Sequence, residues 1–143
     1  MASVYDVAKY ILTLADEEVG DLISNLKLQK LVYYAQGFHL ALFNEELFNE
    51  RIEAWDHGPV VPPLYGEYKC YGAGAIPKSD DFDSSSLTDE QKELINEVYE
   101  VYGQFSAWKL RNMTHDETPW RDTPNSEIIE PSKMREYFLT QVN

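Results

Sequence analysis

The first candidates for chemistry are polar residues embedded in an apolar stretch. In Lys27 to Ala41, KLQKLVYYAQGFHLA, the side chains of Lys27, Gln29, Lys30, Tyr33, Tyr34, Gln36 and His39 share one helical segment. Lys27, Lys30 and Tyr34 stand at i, i+3 and i+7, the spacing that places side chains on one helix face. Such a face has a contact reading, for which tyrosine suits because it offers area and a hydroxyl at low entropic cost. It also has two plainer readings. One is a solvated face with partly buried tyrosines. The other is a network in which the polar groups satisfy one another inside the domain. A second constellation is AWDHGP, Ala54 to Pro59. Trp55 reads as a core ring, and His57-Gly58-Pro59 as a tight, preformed turn presenting a histidine.

Other chemistry is poorly supplied. A metal site needs its ligands to converge, and His39, His57 and His115 have no His or Cys neighbour at ligand spacing. The glycines at 58, 66, 72 and 74 match neither a P-loop nor a dinucleotide fingerprint. No nucleophile elbow frames a serine. The expectation is therefore no metal, no cofactor and no catalytic residue. The alternative left open is an enzyme using His57 and His115 for acid–base work with nearby carboxylates.

These residues must be positioned by helices. Ser3 with Asp6 in the capping-box position opens a first helix, expected to run to about Glu18 before Gly20 breaks it. Ser24 or Asn25 caps a second, whose Leu28, Leu31, Val32 and Ala35 form an apolar stripe ending near Asn44. Gly37 within it marks a close crossing by another element. Leu47-Phe48 and Ile52 to Trp55 suggest a two-stranded ribbon turning near Asn49-Glu50. Pro62-Pro63 start a third helix, Thr88 a fourth with Gln91 in the capping-box position, Ser106 a fifth, and Pro131 a last. Thr114 to Pro124 reads as loop, as does the acidic, serine-rich stretch from Lys78 to Ser86. The fold class expected is mainly α, a compact bundle of five to six helices with a small two-stranded β-ribbon.

The chain has 143 residues, which suits one domain over 1–143. Twelve Lys and Arg against twenty-five Asp and Glu leave a net charge of −13. That field opposes phosphate backbones and anionic membranes, so neither nucleic acid nor membrane is expected as a partner. A basic protein would instead be steered in. The lone cysteine, Cys70, cannot pair within the chain, and no basic region followed by an apolar run opens the sequence. Both favour the cytoplasm.

The two constellations also carry a resemblance. KLQKLVYYAQGFHLA, then Leu47-Phe48, then IEAWDHGPVVPPLY from Ile52 to Tyr65, resemble the hallmark of the Panacea family, also called SocA-like, with phage-associated members of GepA type. Tyr68, Tyr71, Gly72 and Ile76 continue it. Ser106, Ala107 and Leu110, followed by Thr114-His115-Asp116-Glu117-Thr118-Pro119-Trp120, resemble that family's serine-then-Thr-His-x-x-x-Pro-Trp pattern. The resemblance implies a bacterial or phage antitoxin without catalytic activity, whose partner is a cognate protein toxin. It also implies that some members act as proteolytic adaptors delivering the toxin to the ClpXP protease. On this reading Lys27, Gln29, Lys30, Tyr33, Tyr34 and Gln36 form one contact surface with His57, Gly58 and Pro59, and His115 and Trp120 complete it.

Overall fold

The computed structural model of the chain describes residues 2–78 and 82–142. Among them are seven α-helices and one antiparallel ribbon, so the mainly helical expectation holds. Helix α1 (Val4–Leu14) starts from a reciprocal capping box. The Asp6 amide donates to Ser3 Oγ at 3.2 Å, and the Ser3 amide donates to the Asp6 carboxylate at 3.1 Å. It ends four residues before the expected Glu18 boundary. The Asp16 carboxylate accepts the Glu18 amide at 3.0 Å, and a 3-10 turn, Glu17–Val19, replaces the last helical turn.

Helix α2 (Asn25–Phe43) is the axis of the molecule. Ser24 caps it, its Oγ accepting the Lys27 amide at 3.3 Å. Asn44, in the left-handed region at φ 56°, closes it by donating to the Leu40 carbonyl. Helices α4 (Asp89–Tyr102), α5 (Ala107–His115) and α7 (Pro131–Leu139) all pack on α2, as α1 does. A Cβ at Gly37 would run into the Phe138 ring of α7, so the predicted close crossing exists. Phe138 also meets Phe38, Tyr33 and Tyr34 edge-on, at centroid distances of 4.9, 5.5 and 6.0 Å.

The ribbon differs from expectation in register. Strand β1 (Glu53–Trp55) pairs with β2 (Gly58–Val60), Glu53 opposite Val60, and the turn lies at Asp56-His57. Gly58-Pro59 is thus strand, not turn. Leu47 and Phe48 are unavailable for a ladder because the Gln36 side-chain amide takes their backbone groups. Gln36 Oε1 accepts the Leu47 amide at 2.7 Å, and Gln36 Nε2 donates to the Phe48 carbonyl at 2.8 Å. Gly58 sits at φ 108°, a conformation that suits glycine at the turn's exit. Strand alternation turns Ala54 inward and Trp55 outward. Trp55 is consequently half-buried rather than core, edge-on to Tyr65 at 5.2 Å.

Helix α3 (Pro62–Tyr68) starts at its two prolines as expected. The segment expected as loop after Thr114 instead holds the end of α5 and a short helix, α6 (Thr118–Arg121). Of the acidic loop expected over 78–86, residues 79–81 lie outside the described residues, and Ser84–Ser86 form a 3-10 turn.

Candidate partner-binding site

The polar side chains of α2 reach out to several neighbouring segments. Lys27 Nζ donates to the Gly103 carbonyl at 2.6 Å, beyond the end of α4. Gln29 Oε1 accepts the Val61 amide at 2.9 Å, holding the entry to α3. Lys30 Nζ donates to the Pro59 carbonyl of β2 at 3.0 Å. Gln36 holds Leu47-Phe48. The hydroxyls of Tyr33 and Tyr34 donate to the two carboxylate oxygens of Glu117, at 3.0 and 2.7 Å, fixing the link between α5 and α6. Lys30, Tyr33, Tyr34 and Gln29 are each 0% exposed.

Burial sets the electrostatics of this frame. It pushes the Glu117 carboxyl up to about 7, although the Tyr34 and Tyr33 hydroxyls pull the other way. Burial, helped by the Arg111 guanidinium, pushes the Lys30 ammonium down to about 7. Both tyrosine hydroxyls are raised, first by burial and then by Glu117. Lys30 also touches the ribbon's backbone: a Cβ on Gly58 would lie 2.7 Å from both Lys30 Cε and Thr114 Oγ1. Gly58 is thus required for space as well as for conformation.

Outside the frame stands a cation–aromatic tip. His57 at the ribbon turn is exposed, and its Nδ1 accepts from Arg111 Nε at 3.3 Å. The Arg111 guanidinium lies 4.4 Å over the Trp108 ring, and the His57 and Trp108 rings are 5.9 Å apart. Trp108 is 56% exposed. Behind the tip, His115 stacks on Trp120 at 3.8 Å, with ring planes 4° apart, and Trp120 Nε1 donates to the Trp55 carbonyl at 2.7 Å. Burial holds the His115 imidazole below its usual range, with Arg111 and Lys30 acting in the same direction. Among the described residues His57 meets Arg111 and Trp108, and His115 meets Trp120 and the Asp56 backbone; no carboxylate is hydrogen-bonded to either ring.

The profile of the SocA-like antitoxin, Panacea domain family matches residues 28–121. This chain belongs to the SocA-like, Panacea-domain antitoxin family. A 51-residue stretch is also 47% identical to Antitoxin SocA of Caulobacter vibrioides (strain NA1000 / CB15N). That stretch is 36% of this chain and 26% of that protein, so the match spans about a quarter of the relative's length. No solved structure matches the chain.

The matched Panacea segment opens inside α2 and closes in α6, enclosing the ribbon and α5. Within it the residues expected to form one contact surface divide into two groups. Lys27, Gln29, Lys30, Tyr33, Tyr34 and Gln36 do not form an open face: all are buried and bonded internally, as are Gly58 and Pro59 to the depth of the ribbon. The reason is that α2 is enclosed on every side from Lys27 to Gly37, so its polar positions there face other elements rather than water. His57 is open, while His115 and Trp120 are half-buried. Lys30 does bring the ribbon and α2 together, so the expected adjacency of turn and helix is correct although the helix face is closed. Sequence reasoning missed Glu117, Trp108 and Arg111. A signal for the last two was present: Ala107–His115 carries a tryptophan, a lysine and an arginine and no acidic residue, in a strongly acidic chain.

Proposed function

We propose that this chain is a non-enzymatic antitoxin that neutralises a cognate protein toxin by direct contact. The buried polar residues of α2 act as the frame. The tip formed by His57, Trp108 and Arg111 acts as the contact surface. The observation that carries this reading is the exposed tryptophan under an arginine, inside the segment matched to the antitoxin family. Tryptophan and arginine are the residue types that most often dominate binding energy at protein interfaces. The protein works in the cytoplasm. No helix among the described residues is long and apolar enough to cross a membrane, and the exposed Cys70 is a free thiol, which suits a reducing compartment.

The test is rescue in cells that express a candidate toxin, taken from the genes neighbouring this chain's own and chosen because this chain suppresses its toxicity, paired with melting of the purified variants. Trp108→Ala, at an exposed position, should abolish rescue while leaving the melting temperature within about 2 °C of the parent, and Arg111→Glu, at a half-buried one, should abolish rescue by more than any fall in its melting temperature accounts for. Rescue that survives both substitutions overturns the tip as the contact surface. Repeating the assay in cells lacking ClpXP separates the two modes. Rescue that persists there identifies inhibition by contact, and rescue that disappears identifies delivery to the protease.

A further inference from the structure

We infer that the groove between α2, α4 and the segment following α7 is a docking site for a basic amphipathic helix of a partner protein. The inference rests on reading the chain as a protein-binding antitoxin and adds a second surface with its own chemistry. The groove measures about 390 Å³, and its apolar lining comes from Phe38 and Leu42 of α2, Leu94, Val98 and Val101 of α4, and Val142. Leu42 and Val101 are each 51% exposed, so the groove presents apolar area to water where the helices could have closed over it. Exposed apolar concavities with polar edges mark interaction sites on soluble domains.

The edge determines the occupant. Glu90, Glu93, Glu97 and Glu100 recur at three- and four-residue spacing along α4, all exposed, and Glu97 itself lines the groove. Among the described residues the one ion pair joins Arg121 to Asp122, so this row of carboxylates is not neutralised from within. An apolar channel with an unpaired anionic edge is complementary to a helix that is apolar at i, i+3, i+4 and i+7 and carries Lys or Arg beside that stripe. A second copy of this chain is the wrong occupant. It would bring the same glutamate row and another −13 of charge. Nucleic acid is repelled by the same row and offers no apolar face.

The test uses the full chain and fluorescein-labelled helical peptides of about 18 residues, long enough to hold helix on binding, with Leu at the stripe positions and Lys elsewhere. Binding is read by anisotropy. The parent should bind the Lys peptides saturably and the matched Glu peptides not at all. Leu42→Glu and Val101→Glu should each weaken binding by about tenfold or more, even though both add negative charge and so increase long-range attraction. Glu93→Lys with Glu97→Lys should weaken it similarly, by removing the edge while leaving the channel intact. Melting temperatures near the parent's show that the variants are folded. Binding that is absent in the parent, or unchanged by both kinds of substitution, overturns the groove as the site. Toxin rescue by the Trp108 and Arg111 variants is scored separately. Failure here therefore leaves the tip reading standing, and failure there leaves this one standing.

Discussion

Glu117 and Lys30 are buried ionisable groups of opposite sign, and each is bonded to neutral partners instead of to the other. Their displaced titrations act on stability in opposite pH ranges. The folded Glu117 carboxyl holds its proton up to about 7, against 4.5 in an unperturbed chain, so between those values the native state binds more protons than the unfolded state. Stability must then fall as pH rises through that window. Folded Lys30 loses its proton at about 7 against 10.5 unfolded, so above 7 the unfolded state binds more protons and stability rises with pH. Together they predict a stability minimum near neutrality. Urea denaturation from about pH 4 to 11 checks it: Glu117→Gln should flatten the fall below neutrality, and Lys30→Met the rise above it. Overlapping profiles for parent and variants would show that neither group titrates inside the fold. That Lys30 is special was legible in the helical spacing of Lys27, Lys30 and Tyr34. Their direction was not, because a spacing puts residues on one face without saying what covers it. Glu117 could not be read at all, since its two tyrosine partners are more than 80 residues away.

Among the elements, α2 and α7 depend on an absent side chain. Gly37→Leu should force the Phe138 ring aside and destabilise by roughly 1–3 kcal/mol in thermal or urea unfolding. Combining it with Phe138→Ala should cost less than the sum of the two single changes, because the second change opens the space the first one needs. Strict additivity would mean that the two positions do not meet. The helix starts at Ser3, Ser24, Thr88 and Ser106 were readable because a cap is satisfied within three residues of itself. The ribbon's register was not. It depends on Gln36, a side chain on another element, taking the backbone groups of Leu47 and Phe48 and so moving the ladder further along the chain. Alternation predicted a one-faced strand correctly, but the reading of Trp55 as a core ring chose the wrong face, since size and aromaticity favour burial without fixing direction, and Ala54 points to the core.

At the scale of the whole molecule the net charge of −13 governs encounters. Titration with duplex DNA or RNA at about 20 mM salt, where counterion release most favours binding, should give no saturable signal at micromolar protein. A saturable curve there would overturn the electrostatic argument. This property was legible from composition alone, because counting charges requires no geometry. The contact surfaces were less legible, since a residue's exposure is decided by everything packed around it. The enclosure of α2 has one more effect. The polar stretch of α2 that opens the matched segment is closed to any partner, and the open residues of that segment, such as His57 and Trp108, lie on other elements. On the proposed reading the buried frame holds the fold and the open residues choose the partner, so substitutions at exposed positions should change what is bound while the α2 frame stands.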